Sequence, residues 1–224
     1  MRFRKQKNTD TPDVAQKESD GKTIVYIDGE NAFFHIFNNL RYQKLVKNRE
    51  DLVMFNFRGL IDGVLKPKVA IEYRYYGAKL KENDETQELL KRTQKMIDHK
   101  RRWIGYISNQ GVTYRNAGEL KVREENGPNG GSKKEHNLTF VEKGIDVTIA
   151  TDMLEDAMTG KCKAAVIMSS DRDLLPALQA LQRNNTKVVY LGFEGRINDQ
   201  MAGTADRTVS ISSKDIAACF KEAQ

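Results

Sequence analysis

The run Thr23-Ile24-Val25-Tyr26-Ile27 constrains this chain more than any other stretch, because five consecutive β-branched and aromatic residues leave no polar face to turn toward water. A strand of this kind has to be covered on both sides, as strands are inside a parallel sheet flanked by helices. Asp28 closes the run. A carboxylate at the end of a buried strand is what an α/β protein offers a ligand at its sheet edge.

The same alternation continues downstream. Asn31 to Phe37 reads as a helix or helical turn, and Asp51 to Leu65 as an apolar-rich helix stopped by Pro67. Lys68 to Tyr76 reads as a strand. Glu85 to Ile107 is a long helix with Leu89, Thr93, Met96, Lys100 and Ile104 near one stripe, followed by a strand at Val112 to Arg115. Residues 117–135 are expected to form an insertion or lid, with a flexible tip at Gly127-Pro128-Asn129-Gly130-Gly131. Lys143 to Met158 is a helix, Ala164 to Ser169 a buried strand and Leu174 to Asn184 a helix. Lys187 to Leu191 and Thr208 to Ile211 are strands, and Ser213 to Lys221 is a closing helix. Strands alternating with helices predict a layered α/β fold with a largely parallel sheet. A chain of 224 residues suits one such domain, residues 22–224, preceded by a disordered basic tail over residues 1–21 with almost nothing apolar to bury.

Acids gather where such a fold keeps its sites. Asp28 ends the first strand, Asp171 and Asp173 follow the strand Ala165-Val166-Ile167-Met168, and Asp146 stands at the start of the helix beginning near Lys143. Converging carboxylates repel one another, so their expected counter-charge is a hard divalent cation, Mg²⁺ or Mn²⁺. Such an ion lowers the pKa of bound water and offsets charge on a phosphodiester, which points to hydrolysis. Each acid also has an ordinary alternative: Asp28 and Asp171 can cap helices, and Asn31 can cap one or orient Asp28. Asp152, Glu155 and Asp156 read as a solvated helical face, with Asp152 a possible additional acid.

Three linked motifs carry a resemblance over most of the chain, from Thr23 to Ile211. They are Tyr26-Ile27-Asp28-Gly29-Glu30-Asn31, Lys143-Gly144-Ile145-Asp146-Val147 and Ser169-Ser170-Asp171-Arg172-Asp173-Leu174. They resemble the NYN domain of the LabA-like group in the PIN-like nuclease superfamily. That resemblance implies a PIN-like, Rossmann-like three-layer α/β fold and an endoribonuclease acting on single-stranded RNA. It implies that Asp28, Asp146 and Asp171 are metal ligands, Asp173 a ligand or water-orienting acid, and Asn31 a support for the first. The chain departs from the family's Ser-Gly-Asp-Ser-Asp-Phe pattern with Ser170 for Gly, Arg172 for Ser and Leu174 for Phe. The added β-carbon at Ser170 is expected to shift the backbone that presents Asp171, and Arg172 to pair with a carboxylate.

A formal charge of +6 and pI near 9.2 favour a polyanionic partner, here nucleic acid. Lys133 and Lys134, beside the Gly-rich tip, together with Arg172 and Ser170, are the expected substrate contacts. Lys91, Arg92, Lys95, Lys100, Arg101 and Arg102 crowd one helix beside Trp103; they either grip phosphate and stack a base or form a solvated face over a core tryptophan. None of His35, His99 and His136 has a Ser or Cys neighbour in sequence, so metal-activated water is the expected nucleophile. Cys162 and Cys219 support neither a disulfide framework nor a zinc cluster, and no stretch reaches the length of a membrane span, so a cytoplasmic protein is expected, with room for a homo-oligomer. A haloacid dehalogenase would need an acid two residues after Asp28 of the aspartate type, where Glu30 stands. A dinucleotide fold would need a Gly-rich turn there. The remaining rival is a non-catalytic RNA-binding or regulatory module on the same fold.

Overall fold

The computed structural model describes residues 21–80, 82, 86–125 and 137–221; of residues 120–125, 137–142 and 221 it describes the backbone alone. The expected tail up to residue 20, the loop tip and the substrate contacts Lys133 and Lys134 lie outside the described residues.

Strand β1 (Lys22–Asp28) is buried from Ile24 onward on both faces, as its unbroken apolar run requires. It passes directly into α1 (Gly29–Tyr42), which runs past the expected end at Phe37 because Ile36 and Leu40 prolong its buried stripe. Residues 49–52 make a 3-10 turn, so α2 (Phe57–Leu65) starts later than expected, at a cap where the Asn56 side chain accepts from Gly59 N–H. Strand β2 (Ile71–Lys79) leads to α3 (Gln87–Asn109), which Thr86 caps, and then to β3 (Val112–Glu125).

Here the structure corrects the expected insertion. Residues 117–125 continue β3 and pair antiparallel with β4 (Asn137–Lys143), Glu119 opposite Lys143. Lys143 therefore ends a strand. Gly144, at φ +87°, makes the turn into α4 (Ile145–Met158), a conformation that strains any side chain with a β-carbon. The remaining elements are β5 (Cys162–Met168), α5 (Leu175–Arg183), β6 (Lys187–Phe193), α6 (Asp199–Thr204), β7 (Arg207–Ile211) and α7 (Ser213–Lys221). The six-residue α6 has no counterpart in the sequence expectation.

The sheet runs β4-β3-β2-β1-β5-β6-β7, parallel throughout except at the β4 edge. Val25 and Ile27 face a core shared with α1, α2, α3 and α7, while Ile24 and Tyr26 face one shared with α4, α5 and α6. Helices on both faces make three layers. The chain leaves β1 for β2 on one side and returns to β5 on the other, so the order reverses between β1 and β5. Their carboxyl ends flank the crevice where doubly wound sheets bind ligands.

Candidate functional site

Asp28 sits at that crevice, 6% exposed. Its side chain caps α1 by accepting from Asn31 N–H at 3.3 Å on Oδ1, and Ser169 Oγ donates to Oδ2 at 2.7 Å. The capping alternative is thus realised, yet it uses one hydrogen bond of a group with four lone-pair positions. Asn31 supports Asp28 through its backbone. Its side chain crosses instead to Ser170, donating to Oγ at 3.0 Å and accepting from Ser170 N–H at 3.1 Å. The turns after β1 and β5 are clamped together by this pair.

The turn after β5 presents Asp171 by a second set of local bonds. Asp171 N–H donates to Ser169 Oγ at 3.1 Å, and Asp171 Oδ1 accepts from Asp173 N–H at 2.9 Å, capping the 3-10 turn Arg172–Leu174. Oδ2 has no hydrogen-bond partner among the described residues. Ser169 therefore touches two of the acids, a role that sequence reading did not give it. Asp146 arrives from the third segment, in the first turn of α4, held there by the Gly144 turn.

The electrostatics tie these groups together. Burial pushes the Asp28 carboxyl up to about 6; the bonds from Ser169 and Asn31 pull against it, and the charges of Asp146 and Asp171 add to it. Asp146 is raised as well, first by burial and then by the charge of Asp171, with Asp173 contributing. No basic side chain forms an ion pair with any of the four acids among the described residues.

The donor set suits a hard divalent cation: carboxylates from three segments, mutually repelling and lacking a counter-charge. The site is not closed, however. Among the described residues no group of three or more His, Cys, Asp and Glu stands at ligand spacing.

Asp152 takes no part in it. It lies six residues beyond Asp146, about 9 Å along the helix axis, where it accepts from Tyr76 OH at 2.8 Å and stands 4.0 Å from Arg74. Asp156 corrects the reading of a solvated face, being buried against Arg74 and Tyr26. Arg172 does not pair with a carboxylate among the described residues; it is exposed on a depression of about 580 Å³ also lined by Ser170, Asp171, Asp173 and Gln200. Trp103 lies in the core, 6% exposed.

Two further residues escaped sequence reading. His35 Nε2 lies 3.2 Å from Ser170 Oγ, so a serine neighbour absent in sequence is present in space. Burial and Arg196 lower the His35 pKa. Asn198 donates from Nδ2 to Ser170 O at 3.2 Å while its Oδ1 caps α6. An Asn followed by Asp-Gln-Met-Ala is a recognisable helix start, and it was the available signal.

A family model described as the NYN domain matches residues 22–212. Among solved structures, the crystal structure of a protein of unknown function from Vibrio parahaemolyticus RIMD 2210633 is similar with a TM-score of 0.51. The alignment has 17% identity and covers 88% of this chain and 96% of that one. At that identity the likeness speaks for the fold alone. No curated protein matches the chain.

Proposed function

The chain belongs to the NYN domain family, within the PIN-like nuclease superfamily, and from that membership and its acid cluster we propose that it is a divalent-metal-dependent endoribonuclease acting on single-stranded RNA. One observation carries the reading: three chain segments bring Asp28, Asp146, Asp171 and Asp173 to the switch point of the sheet, and among the described residues no basic side chain neutralises them. The order and spacing of the three motifs support the LabA-like group within the family.

Asp28, Asp146 and Asp171 would hold Mg²⁺ or Mn²⁺, with Asp173 as a fourth ligand or a water-orienting acid. Bound there, the ion would acidify a water and neutralise charge building on the phosphodiester. The chain's own groups prepare the place. Ser169 Oγ fixes the rotamer of Asp28 and the backbone of Asp171 at once. Asn31 and Ser170 keep the two turns in register. Asp28 is mostly ionised at neutral pH, because even its raised pKa of about 6 lies below 7. Arg172 and Ser170, which line the depression, would contact a phosphate, and Lys133 and Lys134 would be further contacts. Among the described residues no helix is long and apolar enough to cross a membrane, in keeping with a cytoplasmic RNA as substrate.

The rival reading, an RNA-binding module without catalysis, is favoured by the open spacing of the acids. Cleavage of labelled single-stranded RNA and DNA in Mn²⁺, Mg²⁺ or EDTA separates the two. The nuclease reading expects metal-dependent cutting of RNA that falls at least 100-fold in Asp171→Asn, on the scale of losing one preorganised charge at a reacting centre. RNA bound but uncut in every metal would establish the rival.

A further inference from the structure

A second cavity, about 840 Å³, opens between α1, the 3-10 turn at residues 49–52, α3, the second half of β2 and the start of β3. That volume lies within the range of about 300–1,000 Å³ usual for small-molecule sites. Its walls are aromatic. Phe33 and Tyr75 meet Trp103 edge to face, at 5.7 Å and 5.9 Å between centroids, and Tyr114 lies nearly parallel to Tyr75 at 6.0 Å and 23°. Its lining carries four cations against the three acids Glu30, Glu50 and Asp98, and of the cations Lys95 and Arg102 are exposed and form no ion pair among the described residues.

The cavity also abuts the acid site. Tyr75 OH donates to the carbonyl of Gly29 at 2.8 Å, so the ring that forms one wall touches the residue after Asp28. A β-carbon at Gly29 would stand 2.3 Å from the same ring, which shows how closely the two features are packed. Glu30, the next residue, lines the cavity itself.

A polar handle is present too. His99 lines the cavity and leaves a buried Nδ1 without a hydrogen-bond partner. Burial lowers its pKa, so the ring is neutral at physiological pH and carries one donor and one acceptor. A buried unpaired nitrogen is unfavourable, and a rotation of the ring toward a ligand would relieve it.

We infer that this cavity is a nucleobase subsite, taking one base of a single-stranded polynucleotide whose neighbouring phosphodiester lies at Asp28, Asp146 and Asp171. Aromatic walls suit the apolar ring of any base, and the exposed Lys95 and Arg102 in the same lining would hold the adjoining phosphates. The placement of the phosphodiester rests on the nuclease reading; the binding of a base does not. A free mononucleotide has the same chemistry as one residue of a polymer, so the two sources are separated experimentally.

Trp103 is the only tryptophan in the chain and lines the cavity, so its fluorescence reports occupancy directly. The full chain, in EDTA to prevent cleavage, is titrated with four mononucleotides, with a single-stranded hexanucleotide and with the same hexanucleotide carrying abasic residues. The expected result is quenching by the hexanucleotide, none by the abasic strand, and a Kd raised roughly 10- to 100-fold in Tyr114→Leu, the scale of one lost stacking contact. Lys95→Glu, on the exposed face of α3, should weaken binding without touching the core, while Met158→Ala, far along α4, leaves it unchanged. Unchanged emission with every ligand overturns the subsite. So does equal quenching by the abasic strand, or quenching by mononucleotides alone. Cleavage in Mn²⁺, measured separately, keeps the two proposals apart: cutting without quenching removes the subsite and leaves the nuclease, and quenching without cutting does the reverse.

Discussion

Helix α4 holds an acid near each end, and the two ends treat a carboxylate in opposite ways. At the last turn, burial would raise the Asp156 pKa, but Arg74, Tyr26 and Lys161 outweigh it and hold the group below its usual value. Tyr26 OH donates at 2.8 Å, Lys161 Nζ stands at 3.3 Å, and Arg74, itself 1% exposed, bonds both Asp156 and Glu72. At the first turn Asp146 is raised, and so is Asp28 beyond it, first by burial and then by the charges of other carboxylates, with no cation offsetting them among the described residues. A buried acid that the chain neutralises belongs to the scaffold. A cluster that, among the described residues, has no cation beside it lowers stability until something else supplies the charge.

The contrast can be broken at its strong end. Arg74→Met leaves Asp156 buried with the Tyr26 hydroxyl and, as its one cation among the described residues, the half-exposed Lys161, and should lower urea-unfolding stability by about 3–5 kcal/mol, as for other buried pairs that lose one member. A loss below about 1 kcal/mol, the range of a solvated surface pair, would mean that Asp156 is no part of the scaffold.

At the other end the sign reverses. An acid whose folded pKa lies above its unfolded value binds its proton more tightly when folded, so its contribution is most favourable below pH 4 and is lost as pH rises through about 6. In EDTA the wild type should therefore lose stability across that window. Asp28→Asn should flatten the profile and gain about 1–2 kcal/mol at pH 7, less than the full shift because an amide has one oxygen and cannot accept the bonds from both Ser169 and Asn31 as the carboxylate does. A variant less stable than wild type at pH 7 in EDTA would show that those bonds outweigh the repulsion.

The smallest effect is expected at Ser170, where the family's glycine would stand. Ser170→Gly removes the hydroxyl contacts to Asn31 and His35 and should cost about 0.5–1.5 kcal/mol. Combined with Asn31→Ala it should cost less than the sum of the two changes, since both break one clamp. Strict additivity would mean that the turns after β1 and β5 are held independently.

Much of the site was legible because its acids sit where local pattern changes. Asp28 ends a run that can only be a buried strand, and Asp171 follows another. Gly144-Ile145-Asp146 marks a turn into a helix. What the sequence concealed depends on distance along the chain or on short elements. The His35–Ser170 contact spans 135 residues and has no local trace. The β3 extension was missed because residues 117–135 read as one insertion around the Gly-rich tip, although Leu120-Lys121-Val122-Arg123 alternates as a strand does. Asp152 shares a helix with Asp146 but faces Tyr76, and Asp156 reads as surface until Arg74, 82 positions away, is seen beside it. A buried arginine inside a strand was the signal for that network.

Calorimetric titration of the metal-free protein with Mn²⁺, comparing wild type with Asp28→Asn, Asp171→Asn and Arg74→Lys, tests most directly whether the acid cluster lacks the charge that a cation would supply. The expected result is binding by wild type and by the Arg74 variant, and its loss in both aspartate variants. Wild type that takes up no Mn²⁺, or aspartate variants that bind as tightly as wild type, would contradict it.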